Sequence, residues 1–232
     1  ACSMREADAV LEACKKNNVA FNTGVLRRFD PRYHHARKLI EQGEIGQANI
    51  AVHYAGSSLM HGHIHSVDTL MYLLGDPMAV SVWGELRPKT LRIENNRLDN
   101  DPSAVYHIEF ADGLEGWTIP IGHWDFEVFG TEGSIKGMNN GVDWSIRKAM
   151  RLADKYTVFR DAPYPPGETR SATVVCLEDL VKAYEENRPT LGNVEVTHHA
   201  TEICLAVAES YRQGGVRVKL PLENRDLYVW HV

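Results

Sequence analysis

Apolar positions along this chain switch between two periods, and the switches mark its elements. Residues 4–17 carry Ala7, Val10, Leu11 and Cys14 at helical spacing behind Ser3, a suitable N-cap, and predict a helix. Asn17-Asn18 ends it, and Val19-Ala20-Phe21-Asn22-Thr23-Gly24-Val25 reads as a short buried strand. Asp30-Pro31 then opens an amphipathic helix over about 31–42, closed by Gly43. Residues 47–56 alternate as a strand. The spacing of Val67, Leu70, Met71 and Leu74 predicts a helix that starts near His63 or Ile64 and stops at Gly75-Asp76-Pro77. Strands follow at 78–86, at 103–110 and 114–121 around an Asp112-Gly113 turn, and at 124–129, 133–138, 142–147 and 155–160. Helices at 170–187 and 193–213, the second capped by Asn193, and a last strand at 216–220 complete the pattern. Residues 87–102 and 163–167 have loop composition.

A strand-rich middle flanked by helices predicts an α+β fold: a large, mostly antiparallel open β-sheet with helices packed on one face. The strand at 19–25 does not fit that sheet, because a strand entered from a helix normally joins a parallel sheet built through crossovers. The start of the chain is therefore expected to be the tail of a domain whose earlier part is missing. A bare sheet face with Trp83, Trp117, Trp124 and Trp144 on its strands suits a second subunit.

Composition narrows the classes. At 232 residues, 44% hydrophobic and 24% charged, the chain is an ordinary globular protein able to bury a sizeable core. A formal charge of −6 with no basic run argues against a nucleic-acid partner. No apolar run approaches the ~18 residues of a membrane span, and the opening residues lack the apolar core of a secretory leader. Cys2, Cys14, Cys176 and Cys204 form no C-x-x-C pair and read as free thiols, which points to a cytoplasmic setting.

The chemistry concentrates at His61-Gly62-His63-Ile64-His65, with Asp68 three residues further on. On a helix starting at 63 or 64, His65 and Asp68 share one face near the N-terminus. There, partial positive charge and free N–H groups suit a polar ligand or a developing oxyanion. Imidazole titrates near neutrality, so His65 is the candidate acid or base. In extended form the three histidines would share a side and, with His53 or His123, form a zinc site, although no Cys or Glu stands nearby as a further ligand.

Several motifs in order resemble a known family: Arg27-Arg28-Phe29-Asp30-Pro31-Arg32-Tyr33, Leu39-Ile40-Glu41-Gln42-Gly43-Glu44-Ile45-Gly46, His65-x-x-Asp68 in a helix ending Leu74-Gly75-Asp76-Pro77, Phe129-Gly130-Thr131-Glu132-Gly133 and Gly215-Val216-Arg217-Val218-Lys219-Leu220-Pro221. Together they resemble the C-terminal half of the glucose–fructose oxidoreductase / inositol dehydrogenase (Gfo/Idh/MocA) family. That resemblance implies a substrate-binding and oligomerisation domain of an NAD- or NADP-dependent oxidoreductase acting on a sugar or polyol. It also implies a homo-oligomer, dimer or tetramer, through the open sheet face. It further implies that residues 1–25 are the last helix and strand of the preceding domain and 26–232 a separate α/β domain.

Two departures qualify the resemblance. The chain has neither a Gly-rich phosphate loop nor the Glu-Lys-Pro segment that supplies the family's lysine, so it is not expected to bind the dinucleotide alone. The family's Asp-x-Gly-x-His-x-x-Asp pattern keeps His65 and Asp68, but His61 stands at the Asp position and His63 at the Gly position. The resemblance thus implies His65, with His61, as the catalytic pair. It implies His63, Tyr54, His123, Arg28 and Asp68 as substrate-side residues, Asp68 chiefly by orienting a neighbour. Two other readings remain: a non-redox binding or scaffold protein derived from the family, and a metal-dependent lyase, isomerase or hydrolase using His61, His63 and His65.

Overall fold

The computed structural model describes residues 1–152 and 156–231. Residue 155, the expected start of one strand, lies outside them. Helix α1 (Met4–Asn17) begins where Ser3 Oγ accepts from the Glu6 N–H and ends at Asn18, which turns left-handed. A 3-10 turn (Leu26–Phe29) leads into α2 (Pro31–Glu41), whose Asp30 cap accepts from the Arg32 N–H. Then come β1 (Ala48–Tyr54), α3 (His63–Leu73), β2 (Ala79–Arg87), the short β3 (Arg97–Leu98), β4 (Ser103–Phe110) and β5 (Glu115–Ile119). Strands β6 (Asp125–Gly130), β7 (Gly133–Met138), β8 (Asp143–Leu152) and β9 (Tyr156–Ala162) form a meander. Helices α4 (Ala172–Glu186) and α5 (Val194–Arg212) precede β10 (Val218–Lys219) and β11 (Tyr228–Val229).

Nine strands form one sheet in the order β10-β2-β4-β5-β1-β6-β7-β8-β9, while β11 and β3 pair separately. Within the nine, β1 and β5 run parallel and every other neighbouring pair is antiparallel. The β4–β5 connection takes its left-handed turn at Asp112 and Gly113, where φ is 63° and 76°. Helix α5 lies so close to β2 that a Cβ on Gly84 would come within 2.5 Å of Val207 Cγ1. Ser210 Oγ accepts from the Gly84 N–H at 2.9 Å and ties the two elements.

The sheet alternates faces along each strand. Ala51, Tyr106, Ile108, Phe126, Val128 and Ile135 are buried beneath the helices. Trp117 and Ile119 are exposed on the other face, where Trp117 stacks on His107 at 3.9 Å between ring centroids. Trp83 sits opposite His107 in the β2–β4 ladder and joins this bare face. The other two tryptophans do not: Trp144 packs edge-on against Tyr33 of α2, and Trp124 faces a cleft described below.

Residues 19–25 correct one expectation, for they form no strand. A parallel strand needs neighbours, and this segment instead runs as irregular chain against α4 and the loop before α5. The Thr23 N–H donates to the Gly192 carbonyl at 3.1 Å, and Asn22 Nδ2 donates to the Cys176 carbonyl at 3.1 Å.

Candidate functional site

A cleft of about 380 Å³ opens where the 3-10 turn, the start of α3, and the loops before β6 and after β7 meet. Its lining includes Arg27, Asp30 with its partner Arg32, His61, His65, Trp124 and Asn140. The histidine-rich turn is pinned from behind: the Asp101 carboxylate accepts from the Met60 and His61 N–H groups at 2.7 and 2.8 Å. Gly62 is required by space, since a Cβ there would lie 1.7 Å from Ser57 Oγ.

Because α3 begins at His63, positions 63 and 65 diverge by about 200° around the helix. His63 therefore turns into the core and is fully buried, whereas His65 is half-buried at the cleft and His61 is exposed beside it. Burial pushes the His65 imidazole below its ordinary value, and the electrostatic influence of Arg27 and of neighbouring His61 pushes in the same direction. At neutral pH His65 is thus a neutral imidazole at the cleft, chemically able to accept a proton.

Arg27 donates to Asn140 Oδ1 from Nε at 2.9 Å and from Nη2 at 2.6 Å, and its guanidinium lies 4.6 Å from the Trp124 ring centroid. Trp124 holds φ at 60°, a strained setting for a bulky residue. Its ring is wedged against His53 at 4.9 Å.

Below the cleft lies a buried polar layer. His53 approaches Thr118 Oγ1 and Ser66 Oγ, each at 3.4 Å, and His63 approaches Ser66 Oγ and the Tyr106 hydroxyl, each at 3.4 Å. Burial pushes His53 down to about 2 and His63 down to about 4, so both are neutral. Deeper still, Arg28 donates to Asp68 Oδ1 at 2.9 Å and to Asp76 Oδ1 at 2.7 Å. Arg37 holds the other Asp76 oxygen at 2.8 Å. Burial lifts the Asp68 carboxyl to about 6 against the pull of Arg28, and its second oxygen has no hydrogen-bond partner among the described residues. Burial would also raise Asp76, but the hydrogen bonds and charges of Arg28 and Arg37 outweigh it and hold that carboxyl low.

Of the residues named in the sequence as catalytic or substrate-side, His61 and His65 come together at the cleft and the others do not. His63 is packed against Tyr106 and His53 because the helix phase turns it inward. Asp68 and Arg28 satisfy one another in the interior, out of a ligand's reach. Tyr54 follows buried His53 on β1 and so emerges on the bare face, donating to Glu127 Oε2 at 3.3 Å with Lys136 over its ring. His123 is exposed and not in the lining, although its carbonyl accepts from the Asn140 N–H. The zinc geometry fails for the same reasons: His61, His63 and His65 turn toward solvent, core and cleft. Among the described residues no group of three or more His, Cys, Asp or Glu is arranged to hold a metal ion.

The cleft is lined by Arg27 and not by its neighbour Arg28, and also by Asn140, which the sequence did not single out. The only local signal for Asn140 is the Asn139-Asn140-Gly141 turn, in which all three residues have positive φ.

No protein-family model matches the chain. It is 33% identical over 158 residues to scyllo-inositol 2-dehydrogenase (NAD(+)) of Bacillus subtilis, covering 57% of this chain and 44% of that protein. It is 26% identical over 185 residues to YrbE, an uncharacterized oxidoreductase of the same organism, covering 70% of this chain and 51% of that one. The chain spans about half the length of these two relatives. Among solved structures, levoglucosan dehydrogenase in complex with NADH and L-sorbose superposes with a TM-score of 0.73 at 21% identity, covering 95% of this chain and 71% of that one. The aldose-aldose oxidoreductase from Caulobacter crescentus complexed with glycerol gives 0.69 at 18%, covering 95% and 70%. No helix among the described residues is long and apolar enough to cross a membrane. The chain is a homologue of scyllo-inositol 2-dehydrogenase with the fold of the Gfo/Idh/MocA oxidoreductases, and its partial coverage of them fits a C-terminal domain.

Proposed function

We propose that this chain is the substrate-binding portion of an NAD(P)-dependent oxidoreductase acting on a sugar or polyol. Residues 26–232 carry the substrate site, and residues 1–25 belong to the dinucleotide-binding portion. The observation that carries the reading is His65: a neutral, half-buried imidazole facing a polar cleft beside Arg27 and Trp124, in a chain with this fold and this relative. In this reading His65 takes the hydroxyl proton of the substrate, His61 stands beside it, and Trp124 and Asn140 shape the wall. The lost carboxylate at position 61 leaves His65 without the usual acidic neighbour, so His61 itself is the second member of the pair.

The sequence has no Gly-x-Gly-x-x-Gly run to bring a backbone against a pyrophosphate, and the cleft lining supplies none. The residues present do not fit a dinucleotide site of the family's kind. A homo-oligomer through the bare face around Trp83, His107 and Trp117 completes the proposal.

Calorimetric titration with scyllo-inositol and with D-glucose tests it. Saturable binding of at least one, weakened by His65→Gln, is expected; no binding of either would sink the reading. NADH, followed by nicotinamide emission excited through tryptophan, should give no saturable signal with this chain alone. Saturation would place a dinucleotide site within these residues.

A further inference from the structure

Four arginines crowd the elements that build the cleft, and three are neutralised. Arg28 holds Asp68 and Asp76, Arg32 holds Asp30, and Arg37 holds Glu41 and Asp76. Arg27 differs: among the described residues no carboxylate lies within 4.0 Å of it. Its guanidinium is nonetheless fixed, by Asn140 Oδ1 on Nε and Nη2 and by the face of Trp124. A long side chain held in place without a counter-charge has its ordering cost already met before any ligand arrives.

The rest of the lining does not supply the missing charge. Asp30 is the carboxylate of the cleft, and both its oxygens are engaged by Arg32. At the position where the resemblance calls for an acidic residue stands His61, an imidazole. With Nε and one Nη2 hydrogen given to Asn140, and the Tyr33 side chain also beside the guanidinium, Nη1 and the second Nη2 hydrogen are the donors left for paired hydrogen bonds to an oxyanion.

We propose that the cleft takes a sugar or polyol bearing a carboxylate, with the carboxylate on Arg27 and a hydroxyl at His65. This rests on the sugar reading above and adds the substrate's charge to it. A bound carboxylate supplies the negative charge that the lining lacks. A neutral polyol would leave Arg27 without one.

The test is a set of calorimetric titrations of the whole chain at low ionic strength with D-glucuronate, D-glucose and inorganic phosphate. D-Glucuronate is expected to bind about tenfold or more tighter than D-glucose, the scale of one charge-assisted hydrogen-bonded contact. Arg27→Gln should bring the two sugars level, and Arg27→Lys should keep part of the preference. Equal affinities in the unmodified chain would overturn the inference and leave the sugar reading standing. Phosphate binding with no preference for glucuronate would also overturn it, placing the anion on something other than the sugar. Absence of binding by both sugars would overturn it, and if scyllo-inositol also failed to bind, the sugar reading would fall with it.

Discussion

Arg27 and Arg28 are adjacent in one short turn, yet they belong to regions built on opposite terms. Arg28 enters a sealed layer where its side chain is 1% exposed and each charge has a partner. Arg27 enters the cleft, where it is held by a neutral amide and an aromatic face and, among the described residues, is paired with no carboxylate. The layer beneath pairs its charges largely out of solvent, whereas the cleft leaves a fixed cation with no carboxylate within 4.0 Å among the described residues. The contrast extends to the histidines: His53 and His63 are locked neutral in the layer, while His65, two residues from His63, reaches the cleft.

The largest effect should come from breaking the sealed layer. Arg28→Met leaves Asp68 buried beside no cation and should cost about 4 kcal/mol of stability, read from urea unfolding. Arg27→Gln, by contrast, should change the same midpoint by less than about 0.5 kcal/mol, because no buried charge is orphaned. Comparable losses from the two variants would erase the distinction between the regions.

Acid should attack the layer next. An unfolded histidine titrates near 6.5, whereas His53 and His63 titrate at about 2 and about 4 in the fold, so below pH 6.5 the unfolded chain binds more protons. Stability is then intact above about 6.5 and falls as pH drops, at up to about 1.4 kcal/mol per pH unit for each histidine until its folded value is reached. Asp68 works the other way, because its folded carboxyl is raised and gains a proton early, returning about 1 kcal/mol by pH 5. The net loss between pH 7.5 and pH 5 should be about 3 kcal/mol, and His63→Gln should flatten that slope. Chemical unfolding at the two pH values measures it, and a flat profile would mean that the histidines are not buried as neutral groups.

A smaller effect sits at the junction of the two regions. Gly62→Ala forces a methyl onto Ser57 Oγ and should cost about 2 kcal/mol while displacing His61 and His65 together. Thermal unfolding reads the first consequence and loss of sugar binding the second; a variant as stable as the parent would show that the turn has slack.

Much of the fold was legible because local signals agreed with one another. Ser3, Asp30-Pro31, Asn193 and Asp112-Gly113 each mark a boundary where the structure has one. The site was legible only in part. Helical spacing located the start of α3, but which of His61, His63 and His65 faces inward depends on one residue of helix phase. Strand alternation requires His53 and Tyr54 to face opposite ways, yet two polar aromatics give no sign of which side carries the helices. The turn containing Arg27 and Arg28 has no apolar pattern to orient it, and the carboxylates that claim Arg28 lie 40 and 48 residues away. Asn140, 113 residues from Arg27, is brought to it only by the closing of β6 and β7 into the sheet. The strand expected at 19–25 failed for lack of partners, which no local signal reports.

The most direct test of the cleft as the sugar site follows the histidine and tryptophan side chains by NMR while D-glucuronate is added. The account predicts that the His65 imidazole and the Trp124 indole shift together and saturate, with His107 and Trp117 on the bare face unmoved. Saturable shifts at His107 and Trp117 instead, or at neither pair, would contradict it.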